Sequence, residues 1–300
     1  MKLKSRVGLL GVALMLAGCG GYPTREATVA QSWSGDVAGY RVWPGEVQET
    51  SGLAMRAGLF WTLNDSGDGP YLYAIDEQDN LTKKVALKGA ENIDWEELAQ
   101  DDRYLYVADC GNNRGRRKHL QIYKIAWDKL DRSDHGDSVE VTTLEFSYAN
   151  RPDVVDSKAH NLDCEALTVV GDELWLFSKN RRDEQTTLYK LDKHKPVQVL
   201  QPVASYPVNG LITAADYHAS SQRLILLGYS KQRIFGSSFV WVVPVQGAPQ
   251  WSAARRLNMT PYAQWEALVW DRNDTSGRVW LSAERSPLLE VGLGSLTLPE

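Results

Sequence analysis

An all-β chain closed into a five-bladed β-propeller is the fold this sequence predicts, and three observations carry the prediction. Five segments open alike, at Ser51-Gly-Leu, Glu96-Glu-Leu, Glu165-Ala-Leu, Thr213-Ala-Ala and Glu266-Ala-Leu, each about one four-stranded unit from the next. Each opening leads through a turn into a second strand and then a third, all short, β-branched and aromatic. The last unit runs out of chain one strand short, and Gly39-Tyr-Arg-Val-Trp43, just before the first unit, has the length and composition to supply it.

The units read in order. Ser51 leads through Arg56-Ala-Gly58 to Leu59–Asn64 and on to Tyr71–Ile75. Glu96 leads through Asp101-Asp-Arg103 to Tyr104–Ala108 and Leu120–Ile125. Glu165 precedes Gly171-Asp172, Glu173–Phe177 and Thr187–Leu191; Thr213 precedes Ser220-Ser-Gln222, Arg223–Leu227 and Phe239–Val243. Glu266 leads through Gly277 to Arg278–Ser282, with a third strand expected at Leu288–Val291. Outer strands are expected at Thr82–Leu87, Val139–Tyr148, Val197–Ser205 and Ala253–Met259. Closure by the N-terminal strand removes the open sheet edges that invite aggregation. The alternative is a six-bladed ring, with a partial blade inside the long second unit, but its polar run Asp128–Asp137 reads as a loop.

Composition suits one such domain. Hydrophobic residues make up 43% of 300 positions, enough for a large core, and 11 Trp and 13 Tyr offer flat rings for the layers between blades. A net charge of −5 gives no footprint for nucleic acid, and the cluster Arg114, Arg116, Arg117, Lys118 reads as a solvated hairpin loop.

The first residues read as a processing signal. Lys2, Lys4 and Arg6 precede an apolar run from Val7 to Leu16, too short for a membrane span, which ends in Leu16-Ala-Gly-Cys19. That string resembles the bacterial lipobox. The resemblance implies a signal peptide over residues 1–18, lipidation of Cys19, a tether through residue 37 and a single propeller domain over 38–300. Multiple acyl chains, palmitate among them, give stable anchoring. Gly20 in place of Asp points to the outer membrane, on its periplasmic face. In that oxidising compartment Cys110 and Cys164 either bridge neighbouring blades or stay as two buried thiols.

In a propeller the innermost strands line a channel, so Ser51, Glu96, Glu165, Thr213 and Glu266 are expected to face one another. Crowded carboxylates repel unless protonated or neutralised by a cation. All-oxygen ligands suit Ca2+, whereas zinc is disfavoured because no His or Cys stands nearby in the pattern. The alternative is hydrogen bonding to neighbouring strand ends. The order Ser-Glu-Glu-Thr-Glu, with Trp95-Glu96 opening the second unit, resembles the calcium-activated apyrases, five-bladed nucleotidases whose channel calcium is held by Ser, Glu, Glu, Ser and Glu. Asn64-Asp-Ser-Gly67, Asp94-Trp-Glu96 and Asp109-Cys-Gly-Asn-Asn113 resemble a group of uncharacterised bacterial secreted β-propeller lipoproteins, a likeness that brings no activity with it.

The second strands end on the same face as the axial residues, and all five ends are polar. Asn64, Asn112, Lys179, Arg181, Lys231 and Arg285 are candidates to bind an anionic ligand or a periplasmic partner. Asp65 and Asp109 are candidates to bind a second metal or activate water. Two readings follow: a calcium-binding lipoprotein with an anion-binding mouth, and a metal-dependent hydrolase of phosphoesters or nucleotides. No P-loop, His-Glu-x-x-His or Gly-x-Ser-x-Gly motif adds a third.

Overall fold

A computed structural model describes residues 33–230, 236–286 and 289–299, and these form five small sheets arranged in a ring, a five-bladed β-propeller. Two N-terminal strands, β1 (Trp33–Asp36) and β2 (Ala38–Val42), precede the first blade. Blade one is β3 (Thr50–Arg56), β4 (Leu59–Asn64), β5 (Tyr71–Asp76) and β6 (Leu81–Lys88). Blade two begins with β7 (Trp95–Gln100), β8 (Tyr104–Asp109) and β9 (Leu120–Ala126), followed by a short helix α1 (Trp127–Arg132) where the sequence read a loop, then β10 (Ser138–Glu140) and β11 (Thr142–Tyr148).

Blade three is β12 (Asp163–Val170), β13 (Glu173–Lys179) and β14 (Thr186–Asp192), with β15 (Val197–Leu200) and β16 (Pro202–Tyr206) after it. Blade four is β17 (Leu211–His218), β18 (Arg223–Ser230), β19 (Ser237–Pro244) and β20 (Arg255–Thr260). Blade five is β21 (Trp265–Trp270), β22 (Arg278–Ala283) and β23 (Gly292–Thr297), completed by β2, which pairs antiparallel with β23 as the sequence predicts.

Three departures from the sequence reading have physical causes. The runs Val139–Tyr148 and Val197–Ser205 are not single strands. In each, one residue, Val141 or Gln201, separates a first part that adds in parallel to the preceding blade from a second part that joins its own. The N-terminus repeats the device: β1 adds to β20 of blade four, and after Val37 β2 enters blade five. Residues 33–36, assigned by sequence to the tether, therefore belong to the domain. No turn residue marks these handovers, so composition alone could not show them.

The third strand of blade five starts at Gly292, beyond the expected Leu288–Val291. Gly292 and Gly294 look like a strand end in sequence. A Cβ at Gly292 would stand 2.1 Å from the Arg41 carbonyl oxygen, so the glycine admits the closing strand at close range.

Five apolar layers fill the spaces between blades. Trp61 and Leu72 meet Trp95 and Tyr123; Tyr106 and Phe146 meet Leu174 and Tyr189; Trp175 and Phe177 meet Phe239 and Trp241. Ile225 and Leu227 meet Trp265 and Leu281, and Val269 and Leu293 close on Phe60 and Tyr73. Cys110 and Cys164 are bonded to each other, tying blade two to blade three beside the channel. The bond closes a loop of 54 residues in sequence separation. Loop entropy of that order makes the paired Cys→Ser variant about 2–4 kcal/mol less stable in urea titration.

Candidate metal centre

Every blade carries one β-bulge in its innermost strand, and each falls on the residue that opens the unit. Register against the second strand slips between Thr50 and Leu53, Trp95 and Glu97, Cys164 and Ala166, Ile212 and Ala214, and Trp265 and Ala267. These slips enclose Ser51, Glu96, Glu165, Thr213 and Glu266. A bulge frees one residue from strand alternation and re-aims its side chain, a device common beside functional sites. All five residues are buried.

The hydroxyls serve the ring itself. Ser51 Oγ donates to the Glu96 carbonyl at 2.9 Å, and Thr213 Oγ1 to the Trp265 carbonyl at 2.9 Å, each tying an inner strand to the next carboxylate-bearing bulge. Among the carboxylates sits a cation that belongs to the protein. Lys179 is only 6% exposed, and its Nζ lies 2.9 Å from Glu165 Oε2. Burial opposes its charge, yet Glu165 and then Glu266 hold the ammonium well above its ordinary range. The axial ring predicted to need a metal thus has a resident counter-charge.

Glu96 lies to one side of that arrangement. It is 4% exposed, its Oε1 has no hydrogen-bond partner, and burial followed by repulsion from Glu165 and Asp65 pushes its carboxyl well above the usual range. One oxygen from each of Asp65, Asp94 and Glu96 lies within 4.8 Å of the others. Burial and then the Asp94 charge push Asp65 up to about 7, while burial and then Asp163 raise Asp94. Asn92, which donates to the carbonyls of Asn64 and Asp65, also leaves its Oδ1 buried and unpartnered. A Cβ at Gly111 would fall 2.1 Å from Glu96 Oε1 and 2.5 Å from Asp94 Oδ2, so only glycine leaves this cradle its shape.

The remaining sequence candidates divide sharply. Asp109 is fully buried and already engaged by Arg117 at 3.0 Å, by the Asp94 N–H and by Gln121, which makes it a strut rather than a water activator. Asn64 accepts from the N–H groups of Gln48 and Glu49 and donates to Glu46 and Asp68; its amide is used up in the loop. Asn112 is spent likewise on Arg117 and Leu162. Arg181 grips Asp163 through Nε and Nη2. Arg285 is exposed and faces Glu290 at 3.4 Å. Lys231 and Cys19 lie outside the described residues.

Lys179, Arg181, Arg117 and Arg285 are thus each paired with a carboxylate, which argues against direct anion binding there by Lys179 or Arg181. Arg117, read from sequence as part of a solvated run, instead turns inward.

Three acidic residues at this end were not candidates from sequence: Asp163, Glu284 and Asp94, the last entering only within the motif Asp94-Trp-Glu96. The signal for two of them was present. Asp94-Trp-Glu96 and Asp163-Cys-Glu165 repeat one spacing, an aspartate two residues before an axial glutamate. Glu284 is pushed up to about 8 by burial and then by Glu266.

A pH dependence follows. Asp65 and Glu284 have folded-state values above their unfolded ones, so the folded protein binds more protons between about pH 4 and pH 8, and this part of its stability is lost as pH rises through about 7 and about 8. In chelator, the fall in melting temperature from pH 5 to pH 8 is expected to be shallower for Asp65→Asn than for the parent.

No family model matches the chain, and no curated protein matches it. Solved structures resemble it in fold. An exo-β-1,3-galactanase from Phanerochaete chrysosporium superposes with a TM-score of 0.53 at 10% identity, over 86% of this chain and 63% of that one. The catalytic domain of a Coprinopsis cinerea GH62 α-L-arabinofuranosidase gives 0.51 at 14% identity, over 88% and 96%. Glutaminyl cyclase from Myxococcus xanthus gives 0.50 at 14% identity, over 90% and 100%. At such identities the likeness is one of architecture.

Proposed function

We propose that this chain is a lipid-anchored propeller of the periplasm that holds a calcium ion between Asp65, Asp94 and Glu96 and, through that ion, binds an oxygen-rich anionic ligand at its acidic mouth. The observation that supports it is Glu96 Oε1, an acceptor buried without a donor between two further carboxylates. Protonation would neutralise the trio without coordinating its buried lone pairs, whereas a hard cation offsets most of the charge and coordinates those oxygens together. Three carboxylates leave a six- to eight-coordinate ion several positions for carbonyls, water or a ligand oxygen. The anionic ligand of this reading reaches the mouth through the metal, since the nearby ammonium and guanidinium groups already have partners.

Strand direction supports an orientation. The innermost strands start at the acidic mouth, so β20, fourth in its blade, runs toward that mouth, and β1 runs parallel to it. The chain therefore enters at Trp33 from the opposite side. In this reading the tether joins the domain at Trp33, on the side opposite the metal cradle.

The test is calcium titration of the domain by calorimetry and thermal unfolding. One ion per chain and a raised melting temperature are expected, with Glu96→Gln weakening binding by about 10-fold to 100-fold, the usual effect of losing one carboxylate ligand or its support. Gly111→Ala is expected to do the same without touching a carboxylate. Failure of calcium to bind or stabilise the parent would remove the proposal, and calcium-dependent turnover of nucleotides lost in Asp65→Asn would convert it into a hydrolase.

A further inference from the structure

The channel has a second mouth, where the innermost strands end. A cavity of about 330 Å³ opens there, and four blades contribute to it: Gln100 from blade two, Val169 from blade three, Tyr217, His218 and Ser220 from blade four, and Arg272 from blade five. That volume is at the lower end of the range that holds a small molecule.

Its hydrogen-bond deficit is the reverse of the deficit at the acidic mouth. Gln100 is 7% exposed and its Nε2 has no acceptor; Trp270, which stacks on His218 with ring centroids 5.2 Å apart, leaves its Nε1 buried without an acceptor as well. Arg272 makes one long contact, 3.4 Å to Asp216 Oδ1, and Asp216 is already held by the N–H groups of Tyr217 and Trp270. Acceptors at this end are taken. Asp101 receives the N–H groups of Arg103 and Tyr104, the Tyr106 hydroxyl and the Lys193 ammonium, which leaves Asp102 as the one carboxylate of the lining turned to solvent. Two donors without acceptors, beside a guanidinium held by a single long contact, call for an oxyanion, and Val169, Ala219 and the Tyr217 ring offer an apolar wall beside it.

We propose that this second mouth binds a small organic carboxylate, its oxygens facing Gln100 Nε2 and Arg272 and its carbon skeleton lying against Tyr217 and Val169. The guanidinium supplies the charge-assisted contact and the amide the direction. The buried Gln100 amide gains its acceptor only when the ligand arrives, so the empty site carries the cost of an unmade hydrogen bond.

Benzoate is the probe, with benzyl alcohol as the control that keeps the ring and lacks the carboxylate. Benzoate is expected to raise the melting temperature and shift the Trp270 indole N–H resonance, and benzyl alcohol to do neither. Arg272→Gln should weaken benzoate binding at least about tenfold, while calcium binding at the other mouth stays as in the parent. Gln100→Leu should raise the melting temperature of the ligand-free protein and abolish the benzoate response. Equal responses to benzoate and benzyl alcohol, unchanged benzoate binding in Arg272→Gln, or a Gln100→Leu protein that melts lower and still responds, would each overturn the proposal. Because the two sites are at opposite ends, loss of the calcium reading would leave these outcomes untouched.

Discussion

Replacing Glu97 by alanine is expected to cost roughly 3–9 kcal/mol, the sum for three buried backbone donors left without acceptors at about 1–3 kcal/mol each. Glu97 is fully buried in the hub, one residue past the axial Glu96. Its Oε1 accepts the Leu98 N–H at 2.9 Å and its Oε2 the Ala215 N–H of blade four at 3.1 Å, and the Leu53 N–H of blade one reaches it too. One side chain from blade two thus ties together inner strands of three blades. Burial pushes its carboxyl well above the usual range, with the three N–H groups opposing.

Glu97→Gln separates this clamp from mere filling of space. Both oxygens accept, so an amide NH2 must confront one N–H donor. The glutamine variant is expected to lose a large part of what alanine loses, read as a lower urea midpoint. Equal stability of parent and glutamine variant would show that the carboxylate is not the clamp. Nothing in the sequence marked Glu97, because Glu96-Glu97 reads as one polar opening in which only the first residue matches the other four units.

That difference shows where the sequence was legible and where it was not. Blade number, the inner strands and the closing role of residues 39–43 follow from a repeat, and a repeat is visible in one dimension. The bulge at each opening residue was implicit in the same repeat, since five equivalent polar residues within apolar strands need some device to turn them inward. Hidden were features that depend on which strands become neighbours: the parallel handovers at Val37, Val141 and Gln201, and the return of Lys179 from the end of a second strand into the channel. Lys179 read as a rim cation for an external anion. Its target is instead Glu165, two residues along the partner strand, because Asp163 and Lys179 are paired at the mouth of β12 and β13 and the bulge at Glu165 turns that carboxylate toward the ammonium.

The same geometry gives the second large effect. Lys179→Met, which keeps the length and removes the charge, is expected to destabilise the chelated protein by about 3–5 kcal/mol, the range for breaking a buried ion pair from one side. Glu165 would lose its 2.9 Å partner, and Glu266 the ammonium whose field it shares. With Ser51, Thr213 and Glu96 completing the ring, and Arg181 remaining only as a 3.9 Å neighbour of Glu165 Oε1, the axis would then offer mainly oxygens, and a divalent cation is the species that fits them.

Calcium is therefore expected to restore the Lys179→Met variant, and calorimetry to count two ions per chain where the parent binds one. The ion count distinguishes a vacated axial site from general electrostatic relief, because screening by added monovalent salt raises stability without a stoichiometry. A Lys179→Met protein that melts like the parent in chelator and binds a single calcium would show that the ammonium is not the axial counter-charge. The axial carboxylates would then be balanced by protons alone, and calcium binding would be confined to the side of the channel where Glu96 meets Asp65 and Asp94.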